Sequence, residues 1–441
     1  MYWLKPDAVL VEGTLRPDVC VLVSGGDGEG TILSVGAPLA HDGVPVIPLP
    51  KRVLLPGFVN AHSHAFHRAL RGWVQHAAPG MDGGEAWREA MFSLASRLDP
   101  EALEAVSTLA FAEMVRAGFT SVGEVHELHH QADGTPYADP DELALRIAAS
   151  ARRVGLRMVL LRGARAVASP REARFVDAAP DAPLAAIARL RARGLDVGLS
   201  PVDALACPPA WLRAFSTAPV VIHARVGADP GEDARCRAAT GRSAVELLAD
   251  TGLLGPRFTA VHTIHTDADG RRLLHDTQAG VCACPTSALD LGSGFFPAAE
   301  VDAPLCIGTD SQASIDPFAE LRALEWNARA AAGRRDVTAH LNADGLAATL
   351  LQRGTEHGAR ALGLHTGRIA PGYPADLVAI DTARLEFGAS RLLPAIVFNG
   401  SPAAVRDAWV GGRHVVRDGR VPGGEAIVAE AERALRRIAH G

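Results

Sequence analysis

The sequence predicts an α/β protein: a (β/α)8 TIM-like barrel carrying a small β-sandwich domain built from both chain ends. Three observations predict it. Between Val53 and about Ala331, eight apolar β runs alternate with helical stretches, the pattern of a parallel barrel. Several of these runs end in His or Asp, the residue types of a site at the C-terminal mouth of such a barrel. On either side of this region, short apolar runs broken by turn residues read as strands of a separate small sheet.

Residues 1–52 hold the runs Ala8-Val9-Leu10-Val11 and Val19-Cys20-Val21-Leu22-Val23, interrupted by Gly25-Gly26-Asp27-Gly28, and form the first part of the sandwich. Residues 53–365 form the barrel. Its first strand is the apolar run Val53 to Ala61, which closes in His62-Ser63-His64. Later strands are expected at Thr120 to Val125, Arg157 to Leu161, Val197 to Val202 and Val220 to His223, then at Phe258 to His262, Val281 to Cys284 and Leu305 to Asp310. Between them, Pro100 to Ala117 carries Leu103, Val106, Leu109, Ala110, Met114 and Val115 at helical spacing and stops at Gly118. The segment from Leu341 to Leu364 also reads as helix, and Ala178 to Pro183 as a loop. Residues 366–441 return to turns and short strands, with a two-stranded hairpin over Trp409 to Arg420 and a terminal helix.

His62 and His64 stand two apart on a strand and so share a face, where both imidazoles can meet one ion while Ser63 turns away. That spacing alone does not close a coordination sphere. His223, His262 and Asp310, each at the end of its own apolar run, supply further candidates, and buried polar groups of this kind need partners.

Composition narrows the partners to small molecules. Net charge is −6, with both signs dispersed and no basic stripe, which argues against nucleic acid. No window approaches the roughly 20 uninterrupted apolar residues of a membrane span, and Met1-Tyr2-Trp3-Leu4-Lys5 lacks a signal peptide's features, so a cytoplasmic protein is expected. The six cysteines are scattered, and neither a disulfide framework nor a zinc knuckle is expected from them.

The segment Leu54-Leu55-Pro56-Gly57-Phe58-Val59-Asn60-Ala61-His62-Ser63-His64 resembles the first-strand signature of the amidohydrolase superfamily. His223, His262, the Gly308-Thr309-Asp310-Ser311 segment and the late Gly367 to Leu377 segment follow in that family's order. Within the superfamily, five segments look like the formimidoylglutamate deiminases: His64 to Leu70, Trp87-Arg88-Glu89, His126 with His129-His130, Asp133 to Pro140, and Gly292-x-Gly294-x-Phe296-Pro297. The resemblance implies hydrolysis of an amidine or guanidine C–N bond with release of ammonia. It also implies one zinc ion held by His62, His64, His223 and Asp310, with iron or manganese as alternatives. Asp310 is then the proton shuttle, and His262 hydrogen-bonds the reacting centre. Some related two-metal hydrolases bridge their ions through a lysine on an internal strand. The only lysines here, Lys5 and Lys51, lie outside the barrel strands, so a single ion is expected. A homodimer is expected as well.

The chain departs from its resemblance where acid chemistry is concerned. The deaminating relatives carry a Glu three residues after the strand-5 histidine, and here that place holds Val226, with Asp229 and Glu232 the nearby acids. That departure keeps two other readings open: hydrolysis of an amide or cyclic amide, and a catalytically retired metal-binding relative. Among substrate-binding positions Arg88 keeps its match. His67 stands where a glutamine is expected, Glu127 where a tyrosine is expected, and Asp203 where relatives place an arginine near the end of strand 4. Such a pocket is more acidic and invites a cationic substrate arm.

Overall fold

The computed structural model describes residues 1–25, 29–37, 43–76, 83–166, 170–335, 337–338, 342–385 and 391–440. Gly26-Asp27-Gly28 of the first glycine cluster and Leu341 lie outside them. Sixteen strands are described. β1 (Tyr2–Val11), β2 (Thr14–Pro17), β3 (Cys20–Val23), β4 (Ile32–Gly36) and β5 (Val46–Pro56) precede the barrel. The barrel strands are β6 (Phe58–Ser63), β7 (Phe119–His126), β8 (Arg157–Ala164), β9 (Asp196–Pro201), β10 (Ile222–Val226), β11 (Phe258–His262), β12 (Gly280–Ala283) and β13 (Leu305–Ile307). β14 (Leu377–Asp381), β15 (Val405–Val410) and β16 (Arg413–Val416) follow.

The eight barrel strands pair in sequence order from β6 to β13, with parallel registers throughout. A parallel bridge between Ser63 and Asp310 closes the ring. There the His62 carbonyl accepts from the Thr309 and Asp310 amides at 3.1 and 3.0 Å. Gly308 permits that closure, because a Cβ on it would lie 2.8 Å from the His62 carbonyl oxygen. The helix Pro100–Ala117 has the expected bounds. Asp99 caps its start by accepting from Ala102 N, and Gly118 ends it at φ 99°.

The second sheet combines both chain ends in the order β16-β15-β14-β5-β1-β3-β4, with β2 paired to β1. Alternation along β5 sets its two faces. Val53 and Leu55 join the large core shared with the barrel helices, while Leu54 packs with Leu4, Val21, Ile32, Leu377 and Trp409 in a core belonging to the sheet. Asp376 fastens the sheet to the barrel: it takes both arms of Arg157, from the start of β8, at 3.0 and 3.1 Å, and also accepts from Thr366 and the Gly411 amide.

Three local readings change. The apolar run from Val53 is two strands, since β5 stays in the end sheet through Pro56 and the barrel begins at Phe58, with Gly57 alone between them. Hydrophobicity does not mark that break, because both sides are buried. The expected single helix from 341 to 364 is two helices, Ala343–Arg353 and Glu356–Ala361, separated at Thr355 with φ −130° and ψ −86°. Asp181 to Pro183 is the first turn of the helix Asp181–Ala192 instead of loop, with proline tolerated where no intrahelical amide is needed. Among the described residues no helix is long and apolar enough to cross a membrane, and all six cysteines are free and buried.

Candidate active site

β6 delivers His62 to the C-terminal mouth with His64 just beyond its end, β10 delivers His223, β11 ends in His262, and the segment after β13 delivers Asp310. Nitrogen and oxygen ligand atoms of His62, His64 and Asp310 lie within 4.8 Å of one another. His62 Nε2 is 3.9 Å and His64 Nε2 3.7 Å from Asp310 Oδ1, while His262 Nε2 is 3.9 Å from Oδ2. The His223 ring stacks parallel to His62 at a centroid distance of 6.1 Å. His223 Nε2 meets the Ala361 carbonyl at 2.9 Å, which makes Nε2 the donor and leaves the Nδ1 lone pair without a partner.

These residues fit a divalent ion. Both ring nitrogens of His62 and the Nδ1 atoms of His64 and His223 are buried without a hydrogen-bond partner, a costly arrangement that coordination relieves. Burial holds His62 well below the ordinary histidine range and lowers His223 to about 4, so both are in the neutral form a metal requires. For Asp310, burial alone would raise the pKa, but the imidazoles of His262, His64 and His62 and the Ser287 hydroxyl outweigh it and pull it below the usual carboxylate range. His262 and Asp310 both have positive φ, 76° and 43°, in the sparsely populated left-handed region typical of site geometry imposed by its surroundings.

A polar frame that the sequence reading missed holds the candidate ligands. Ser287 donates to Asp310 Oδ2 at 2.6 Å. Asn60 donates to Thr309 Oγ1 at 2.7 Å, Thr309 to Gln312, and Gln312 to Ser63 at 2.9 Å. Ser63 in turn donates to Glu124 Oε2 at 2.6 Å, and the Ala65 amide to Glu124 Oε1. Burial raises Glu124 to about 8, so near neutrality this β7 carboxyl is protonated. Asn60, Ser63 and Thr309 sit inside the two motifs, but their mutual contact comes from ring closure, which neither motif contains.

The expected substrate positions are distributed unequally. His67 stacks on His64 at 4.7 Å and meets Trp87 edge-on at 4.9 Å. Glu127 Oε1 is 4.0 Å from His64 Nδ1. Arg88 lies on the exposed face of the helix Gly83–Arg97. One residue is about 100° of helix, so the turn that brings Trp87 to His67 carries Arg88 outward. Asp203 caps its own turn by accepting from the Leu205 and Ala206 amides and lies 3.8 Å from Arg225. Of the two nearby acids, Asp229 pairs with Arg235 at 2.7 Å, whereas Glu232 is buried and burial raises it to about 7. Val226 is 1% exposed and packs in the core between strands and helices.

Arg225, two residues beyond His223 on the same strand face, was also missed, because the expected strand stopped at His223 while β10 runs on to Val226. The carboxylates of Asp203, Glu232, Asp310 and Glu127 surround it and outweigh the burial that opposes its charge.

Comparison with known proteins agrees with this geometry. The amidohydrolase family profile matches residues 53–415. A formimidoylglutamate deiminase of Pseudomonas aeruginosa is 34% identical over 394 residues, covering 84% of this chain and 86% of that protein. An 8-oxoguanine deaminase of the same species is 29% identical, over 85% of this chain and 84% of its own. An amidohydrolase from Brucella melitensis superposes with a TM-score of 0.88 at 28% identity, covering 100% of both chains. An adenosine deaminase from Xanthomonas campestris with bound zinc gives 0.84 at 26% identity, covering 100% of this chain and 99% of that one. The profile match over residues 53–415 and the 34% identical deiminase make this chain a member of the amidohydrolase family, a hydrolase of C–N bonds with deiminase relatives.

Proposed function

We infer that the protein binds one zinc ion through His62, His64, His223 and Asp310 and hydrolyses an amidine bond of the formimidoyl or guanidine type to the carbonyl, releasing ammonia. The close grouping of His62, His64 and Asp310, with imidazole nitrogens buried and unpartnered, carries this reading. When bound, a divalent ion there would supply a Lewis acid that brings the pKa of water to about 7. Asp310, kept ionised by its histidines, takes the proton of the attacking water and passes it to the departing nitrogen, since ammonia leaves poorly unprotonated. His262, close to Oδ2, hydrogen-bonds the developing tetrahedral centre. Glu127, beside His64, faces the substrate's cationic end. An amidine arrives already protonated, and so needs less from an acid at the place of Val226 than a nucleobase does.

The same residue favours a second reading, hydrolysis of an amide or cyclic amide in which Asp310 alone handles both proton transfers. Product analysis separates the two. Incubation of zinc-loaded protein with a panel of N-formimidoyl and guanidino acids is expected to release stoichiometric ammonia, abolished by chelation and restored by zinc. Ring opening or amine release without ammonia would establish the amide reading.

A further inference from the structure

We propose that Arg225 grips an anionic group of the substrate, so that the pocket selects a zwitterion: amidine toward Glu127, carboxylate toward Arg225. This rests on the amidine reading above and extends it to the other end of the substrate.

Arg225 stands near the end of β10, its backbone in a parallel bridge with Asp203. Its side chain is 39% exposed, open enough to be met from the mouth of the barrel. Yet the guanidinium makes no hydrogen bond among the described residues: Asp203 Oδ2 is 3.8 Å away, and Nε is buried without a partner. Asp203 spends an oxygen on the Leu205 and Ala206 amides, and Glu232 one on the Ala228 amide. Those two carboxylates therefore hold the charge by proximity and leave the planar fork of N–H donors unused. A fork of that shape matches a carboxylate bidentately.

His223 fixes the direction. It and Arg225 share one face of β10, so a group on the Arg225 fork sits one strand step of about 7 Å further out from the ion site. The substrate implied is an amidine carried on a short acid.

The test uses zinc-loaded full chain and calorimetric binding of N-formyl-L-glutamate and its diamide, which differ only in charge. The native protein is expected to bind the dicarboxylate at least about tenfold more tightly. Arg225→Gln is expected to bring the two within about twofold, and Arg225→Lys to fall between, as a point charge without the fork. Zinc content and thermal melts report the integrity of each variant. Equal binding of both compounds by the native protein, binding of neither, or a preference that survives in Arg225→Gln would overturn the proposal. The native comparison stands even if a variant fails to fold. Should the amidine reading fail instead, the panel assay would yield no ammonia while the carboxylate preference remained.

Discussion

At the scale of single residues, the site is a contest between burial and charge. Buried carboxyl groups split into two populations according to whether imidazole partners reach them, since Glu124 and Glu320 are hydrogen-bonded and still raised by burial. Asp310 has three imidazoles and a hydroxyl and stays ionised, while Glu320, fully buried against Thr286, is raised to about 8. Asp310→Asn retains the shape of the side chain but loses the basic oxygen. We expect turnover to fall by roughly 10²–10⁴-fold with the circular dichroism spectrum unchanged. Activity within tenfold of the native level would remove Asp310 from the proton-transfer role. Glu320 gives a pH prediction. Between its unfolded pKa near 4.5 and its folded value of about 8, the folded state holds a proton the unfolded chain has lost, so stability falls as pH rises through that window. Glu320→Gln removes this titration. Its melting temperature is expected to decline between pH 5 and pH 8 by at least about 2 °C less than that of the native protein at equal metal loading.

At the scale of elements, the alternation of apolar runs and helices made the barrel legible, because buried parallel strands read as continuous apolar stretches. Phe258 to His262 and the helix from Pro100 carry their own boundaries: a strand-ending histidine in one case, an Asp cap and a stopping glycine in the other. The close grouping of His62, His64 and Asp310 was legible for the same reason, these being polar residues at the ends of apolar runs. What escaped was long-range contact. Glu124 looks like an ordinary strand residue until Ser63 is beside it, and Arg225 lies just past the point where the expected strand stopped. Ring closure is testable at this scale. Gly308→Ala would press a methyl against the His62 carbonyl and push β6 from β13. A destabilisation of about 1–3 kcal/mol is expected, together with weaker zinc retention on dialysis. A variant with native melting and zinc content would show that the approach is not tight.

For the whole molecule, the relation between barrel and end sheet depends on Asp376, whose oxygens are 1% exposed as a side chain and shared among Arg157, Thr366 and the Gly411 amide. Breaking a buried pair leaves an uncompensated charge, and Arg157 is only 26% exposed. Asp376→Asn is therefore expected to cost about 2–4 kcal/mol in denaturant unfolding, with activity per folded molecule retained. Metal also acts globally: an ion at a thousand times its dissociation constant adds about 4 kcal/mol to the folded state, so chelation should lower the melting temperature by several degrees. No shift on chelation would mean that the histidine cluster holds no ion.

The placement of β5 has a consequence for biosynthesis. One of its edges is covered by β1, translated just before it, but the other is covered by β14, whose Leu377 pairs with Pro56. At ribosomal rates of about 5–20 residues per second, the intervening stretch takes on the order of half a minute to emerge. Throughout that interval Val53, Leu54 and Leu55 stand at an open strand edge, a natural target for a nascent-chain chaperone.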